Sequence, residues 1–562
     1  MSRRASCILL LFIVARFSAE SAASDGRNGG RWRVVLNSTG VVGMHMALTR
    51  YNKVIMFDQI GTVESGYPLR HRFNGSSCSG RSPDTEDWSC FAHSVEYDIG
   101  LNHIRPLRLD TDPWCSSGAF LSNGTLLQVG GYGNGIRRIR YFDSCSNGKC
   151  DWAQARESLS DNRWYASSQI LPDVDQVIVI GGRRVFTYEF FPKGENEGSY
   201  SLPFLRDTAV EQANVRGNYY PLLHLCSDGN IFIMANRDSI LFNYRRRRLV
   251  LTYPRMPGGG SRTHPNTGSS VLLPLDHTNS FEKNEVMVCG GGASGAERAA
   301  RQGRYLTGLS TCGRMEVSGE DPSWHMENMP GPRLMSDMLI LPTGDILIIN
   351  GARSGCAGFN NARNASLRPY LYEPRKKSGT RFSSLKSTMI ARMYHSSAII
   401  LPDGRVLVAG SNPNNRYAFT DVTYRTELRL QSYTPHYMYS QFDTYRPKNI
   451  SVQYDITAPA INSNSTGANY GDKFFVRFWL GRKLGNQVEF NAYAPPFATH
   501  SISMNQRMLR LKSTDMVRGD DGWVNVVLEA PPSENVAPAG YYLLTVVNDG
   551  IPSVSHWIRF LH

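Results

Sequence analysis

The sequence predicts an all-β chain, a seven-bladed β-propeller followed by an immunoglobulin-like β-sandwich, and three observations carry that prediction. A unit of apolar strand, tight turn and second apolar strand recurs seven times between residues 30 and 440. The rhythm changes after Tyr433, where Pro- and Gly-bounded strands take over. Amphipathic helix patterns are scarce throughout. Repeated supersecondary units that cannot bury their own apolar faces stack around an axis, and closure into blades removes exposed sheet edges.

The first 23 residues read as a signal peptide: Arg3 and Arg4, an apolar run from Cys7 to Ala15, then Ser21 and Ala23 at the −3 and −1 positions of a cleavage site. Arg16 makes the run too short to span a bilayer, and no later run is long enough. A secreted protein of the extracellular space or cell wall is therefore expected. The sequons at Asn37, Asn74, Asn123, Asn364, Asn449 and Asn464 agree with that route.

The repeats occupy residues 30–440. They begin at Met44, Cys115, Tyr165, Tyr220, Thr267, Met335 and Tyr394–His395, and each reaches a turn such as Asn123-Gly124, Asp228-Gly229 or Asp403-Gly404. Asn-Gly and Asp-Gly between apolar runs are hairpin signals. Turn-to-turn spacings of about 50 to 70 residues match the kelch period with insertions. Residues 441–562 contain Phe474–Leu480, Val524–Leu528 and Tyr541–Val547, strand-like runs fitting a β-sandwich of roughly a hundred residues.

Of the ten cysteines, Cys7 leaves with the signal peptide. The nine that remain are an odd number for an oxidising compartment. If Cys115 is consumed otherwise, eight could form four disulfides. Cys145 with Cys150 is a local candidate, and Cys78 with Cys90 and Cys289 with Cys312 are further ones. The net charge of +13 comes without a helix-turn-helix, zinc-finger or RNP pattern, which argues against nucleic acid. An acidic extracellular polysaccharide is a better partner for such a chain, and ordinary solubility charge explains it equally well. The densest basic run, Arg245–Arg248, is expected on an exposed blade edge.

Counting back eight residues from Asn123, Asp173 and Asp403 lands on Cys115, Tyr165 and His395, with Tyr394 beside the last. A repeat superimposes equivalent positions, so a thiol, two phenols and an imidazole should meet at the axis. His500, on a loop between Pro495-Pro496 and Asn505, is a further imidazole. Imidazole and phenolate oxygen suit Cu(II), whereas zinc favours His, Cys and carboxylate and has no closely spaced pair here. Taken singly, each residue also reads as core packing.

At this point the chain resembles the copper radical oxidases, the family of galactose oxidase and glyoxal oxidase. The resemblance rests on Trp114-Cys115-Ser-Ser-Gly, Arg163-Trp164-Tyr165-Ala-Ser-Ser, Arg392-Met-Tyr394-His395-Ser, Thr499-His500-Ser and the closing Pro538-Ala-Gly-Tyr-Tyr, and it spans nearly the whole mature chain. It implies one copper per chain bound by Tyr165, Tyr394, His395 and His500. Tyr165 is implied to be joined to Cys115 by a self-processed thioether that stores a tyrosyl radical, and Tyr394 to act as general base. It implies oxidation of a small aldehyde, as its hydrate, to a carboxylic acid, with O2 reduced to H2O2. Arg163-Trp164-Tyr165 and the absence of an N-terminal carbohydrate-binding domain place it nearer the glyoxal oxidase branch. An alcohol or galactose oxidase using the same site is the alternative, and a non-catalytic glycan-binding propeller the outsider. The aromatic that lies over the thioether in galactose oxidase has no clear match, with Tyr188 and Phe190 near its offset. A monomer is expected.

Overall fold

A computed structural model of the chain describes residues 29–60, 65–69, 91–210, 219–455, 465–481 and 484–562. The signal peptide, Asn74, Asn464 and the Cys78–Cys90 pair lie outside the described residues.

Seven antiparallel sheets surround an axis. Blade I is His45–Leu48, Lys53–Phe57, Ser94–Asp98 and His103–Leu107, and blade II is Ser117–Phe120, Leu126–Val129, Ile139–Phe142 and Trp152–Gln154. Blades III to VI begin at Ser167, Leu222, Ser269 and Asp337. Blade VII closes the ring: Ser396–Ile400, Val406–Gly410 and Leu430–Thr434 accept Arg31–Leu36, from the start of the chain, as their outer strand. Closure thus joins the two ends of the propeller by backbone hydrogen bonds.

Strands near the axis, such as Val177–Ile180 and Ile346–Ile349, are buried along their whole length. Both faces meet neighbouring blades, which is why they read as unbroken apolar runs rather than alternating ones. The outer strand Arg248–Thr252 is exposed at every residue, and Arg245–Arg248 lie on that edge as the sequence suggests. The described helices are short, Pro203–Val210 and Ala296–Arg301.

The C-terminal sandwich packs Lys448–Gln453, Lys473–Trp479, Ser513–Arg518 and Trp523–Glu529 against a second sheet centred on Val488–Ala494 and Gly540–Asn548. Alternating burial along Trp523–Glu529 shows one face in the core. The second sheet also takes Leu275–Asp276 of blade V as an edge strand parallel to Arg507–Leu511. The sandwich is therefore more than a lid. It sends the hairpin Phe497–Thr499/Ile502–Met504 onto the axis, where Phe497–Thr499 pairs with the inner strand of blade I in the register His45↔Thr499.

Disulfides join Cys145 to Cys150 and Cys289 to Cys312. The expectation of four bridges is corrected by Cys226 and Cys356, which are free and buried. Burial pushes both thiols up to about 12, so they stay protonated and pack as small apolar groups.

Candidate metal centre

In six blades a residue one or two places before the first axial pairing has a left-handed backbone: Cys115, Tyr165, Tyr220, Thr267, Met335 and His395, with φ of 55°, 64°, 52°, 44°, 57° and 64°. Blade I has Gly43 there, where a Cβ would sit 2.6 Å from the Cβ of Ala409. A left-handed L-residue costs ~1–2 kcal/mol, and such strain gathers at functional sites. Hydrogen bonds between blades hold it: Tyr165 N–H donates to Cys115 O at 2.9 Å, Tyr220 N–H to Tyr165 O at 2.8 Å, and Met335 N–H to Thr267 O at 2.8 Å. The side chains are thereby turned toward the axis. His500 arrives differently, in the two-residue turn of the axial hairpin, with φ of 47° and 71° at His500 and Ser501. Positive φ at both central residues is the type I′ pattern that suits a twisted hairpin.

The five residues singled out from the sequence meet, all buried. The Tyr165 and Tyr394 hydroxyls are 3.3 Å apart, and Cys115 Sγ lies 3.2 Å from His500 Nε2. The Cys115 thiol and the Tyr165 hydroxyl also interact directly. Sulfur and imidazole nitrogens of Cys115, His395 and His500 fall within 4.8 Å of one another. Tyr394 stacks on His395 with centroids 3.8 Å apart.

Burial pushes the Tyr165 and Tyr394 phenols and the Cys115 thiol well above their ordinary ranges. The same desolvation, with neighbouring imidazoles, holds His395 and His500 well below theirs. The site thus offers neutral imidazole lone pairs beside phenols that need a cation to ionise. Thr499 Oγ1 bonds His500 Nδ1 at 2.7 Å and leaves Nε2 facing the cluster, the arrangement that orients a ligating imidazole. His395 Nδ1 is buried without a hydrogen-bond partner among the described residues. Two nitrogens and two oxygens with an orphaned donor fit a divalent transition metal.

A pocket of about 840 Å³ opens onto the phenols. Trp114, Trp164, Tyr219, His264 and Phe359 form its aromatic wall, and Arg183, Glu297, Arg298, Arg301 and Asn361 also line it. Trp164, Tyr219 and His264 each pack on Tyr165, at 4.9, 5.2 and 4.8 Å between centroids. These are the aromatics of the site. Tyr188 and Phe190, near the expected offset, instead fill the core between blades III and IV against Tyr200, Phe242 and Tyr244. Trp164 and Tyr219 were legible as neighbours of ring positions Tyr165 and Tyr220. His264 carried no signal, because it enters from the loop before blade V rather than at a repeat position.

A family model described as glyoxal oxidase N-terminus matches residues 44–437, and one for the galactose oxidase-like early set domain matches 458–560. An aldehyde oxidase of Vitis pseudoreticulata is 38% identical over 95% of this chain and 97% of its own. One of Arabidopsis thaliana is also 38% identical, over 95% of this chain and 85% of its own. A galactose oxidase of Gibberella zeae is 27% identical over 80% of this chain and 61% of its own. By the extent of these matches, the chain belongs to the glyoxal oxidase family and is an oxidase.

Proposed function

We propose that the protein is a copper-dependent oxidase that converts simple aldehydes, taken as hydrates, to carboxylic acids and reduces O2 to H2O2. The observation that carries this reading is the buried pair of phenol oxygens facing the pocket, backed by two neutral imidazoles and a thiol. Tyr165, Tyr394, His395 and His500 would hold the metal. Copper, when bound, supplies a Lewis acid and one of the two oxidising equivalents that an aldehyde hydrate gives up.

The chain's own residues supply the rest. Tyr165, linked to Cys115 through a thioether, stores the second equivalent, since a sulfur substituent eases oxidation of the phenol. Tyr394 receives the hydroxyl proton at its phenol oxygen as general base. Removing two electrons and two protons from the hydrate leaves the acid, and the same electrons and protons convert O2 to H2O2. The aromatic wall packs on Tyr165 and frames the pocket through which substrate reaches the phenols.

Oxidation of a primary alcohol at the same site is the second reading, favoured by the polar, Arg-bearing residues that line the pocket. A secreted setting is supported by the leader sequence, the two disulfides and the exposure of Asn37, Asn123, Asn364 and Asn449. Among the described residues no helix is long and apolar enough to cross a membrane.

The first test is the mass of tryptic peptides from copper-loaded secreted protein. One species containing both Cys115 and Tyr165, two hydrogens light, is expected, together with peroxide release on adding an aldehyde. Separate peptides with a free Cys115 thiol after copper and oxygen would refute the reading.

A further inference from the structure

The site holds a third imidazole that the proposed chemistry does not use. His264 stacks on Tyr165 with an interplanar angle of 29°, and its ring centroid is 6.2 Å from that of Tyr394. It lines the same pocket as the two phenols, yet its nitrogens lie outside the cluster formed by Cys115, His395 and His500. Two local features fix its ring. Thr267 Oγ1 lies 3.3 Å from Nδ1, and the His264 backbone forms an antiparallel bridge with Tyr219. The contact with Thr267 engages Nδ1, so Nε2 is the ring nitrogen left for a ligand in the pocket that His264 lines. A phenylalanine would stack on Tyr165 as well, so packing does not account for a nitrogen held beside the reacting phenols.

We infer that His264 is the specificity-determining residue for aldehyde hydrates, its Nε2 bonding the second hydroxyl of the gem-diol while the first sits at the phenol oxygens. The inference rests on the proposed oxidase reading. It holds for either tautomer, because a hydroxyl both donates and accepts. If Nδ1–H donates to Thr267 Oγ1, Nε2 accepts from the diol, and if the Thr267 hydroxyl donates to Nδ1, Nε2–H donates to the diol. A primary alcohol lacks that hydroxyl and leaves Nε2 unpaired against an aromatic wall. Leaving a site's polar group unmatched is a stronger discriminator than lost apolar contact. His264 would thus separate two substrate classes that share every other part of the chemistry.

The test compares wild type, His264→Phe and His264→Gln as full-length copper-loaded proteins. kcat/KM is measured for acetaldehyde and for ethanol. His264→Phe should lose about tenfold or more on the aldehyde with little change on the alcohol, and His264→Gln should recover part of the loss. Equal losses on both substrates, or none on either, would overturn the inference. A second readout needs no turnover: quenching of fluorescence from Trp114 and Trp164 by trifluoroacetaldehyde hydrate or trifluoroethanol, with the protein first reduced by ascorbate. Wild type should bind the hydrate about tenfold more tightly than the alcohol, and His264→Phe should bind both alike. Equal binding of the two by wild type overturns the hydrate site. A wild type that makes no peroxide yet shows the His264-dependent preference refutes the oxidase reading and leaves the hydrate site standing.

Discussion

At the scale of single residues, the centre is a consequence of register. Cys115, Tyr165 and His395 were legible because the turn positions eight residues on mark the same place in three blades, and the structure gives all three the left-handed backbone that turns a side chain inward. What the spacing could not show is how His500 is aimed. Its Nδ1 is held by the hydroxyl of its own neighbour, Thr499, and Thr499 is fixed by pairing with His45 of blade I. Thr499→Val keeps the β-branched shape and removes the hydroxyl. Metal affinity should fall about 10- to 100-fold, as for other lost partners of ligating histidines, while the thermal midpoint of metal-free protein changes little. Equilibrium dialysis against a copper chelator measures the first and calorimetry the second. Unchanged affinity would mean that the hairpin backbone alone aims the imidazole.

At the scale of elements, the repeats were readable and their fastenings were not. Arg163 and Arg392 stand in the sequence as parts of the motifs that carry the resemblance, with no role of their own legible there. In the structure they are blade staples. Arg392 Nη1 donates to Gly410 O at 2.7 Å and Nη2 to Arg429 O at 2.7 Å, and Arg163 Nη1 donates to Gly181 O and Thr187 O. Arg262 does the same in blade V, with Nη1 on Gly290 O at 2.6 Å and on Thr311 O at 3.1 Å. Each joins the glycine that ends a blade's second strand to the start of the third. Periodicity reports apolar faces, and a buried cation serving carbonyls leaves no trace in it. Likewise, sequence reasoning placed His500 on a loop, because nothing local reveals that Phe497–Met504 is a hairpin added to another domain's sheet. Arg262→Met should cost about 1–3 kcal/mol, since Gly290 O is left unpaired in the interior while Thr311 O keeps the hydrogen bond from Gly290 N–H. Urea denaturation of the metal-free protein measures that loss. A cost below 1 kcal/mol would show that water or a neighbour replaces the guanidinium.

At the scale of the molecule, the blades, the closing strand and the axial hairpin bury ionisable groups that titrate against each other on unfolding. Burial holds Asp58, Asp112 and Asp337 up at about 7, and His45 and His224 down at about 3. The signs are opposite. A carboxyl raised in the native state keeps its proton between about pH 4 and 7 where the unfolded chain releases it, so its stabilisation is complete below about pH 4 and lost as pH rises through 7. A lowered imidazole stabilises fully above about pH 6.5 and less as pH falls toward 3. Between pH 4 and 6.5 the two sets oppose, and above 6.5 the carboxyl loss remains alone, so stability should decline from about pH 6.5 to 8. One substitution isolates a single group from the rest. Asp337→Asn stays neutral at every pH and still accepts the 2.7 Å hydrogen bond from Asn350 Nδ2. Its stability relative to wild type should rise by up to about 1.4 kcal/mol per pH unit between pH 5 and 7, then level off above 8. Paired denaturation curves at those pH values test it. A difference that stays flat, or falls with pH, would show that Asp337 is ionised in the folded protein and that the blade interior stabilises its charge.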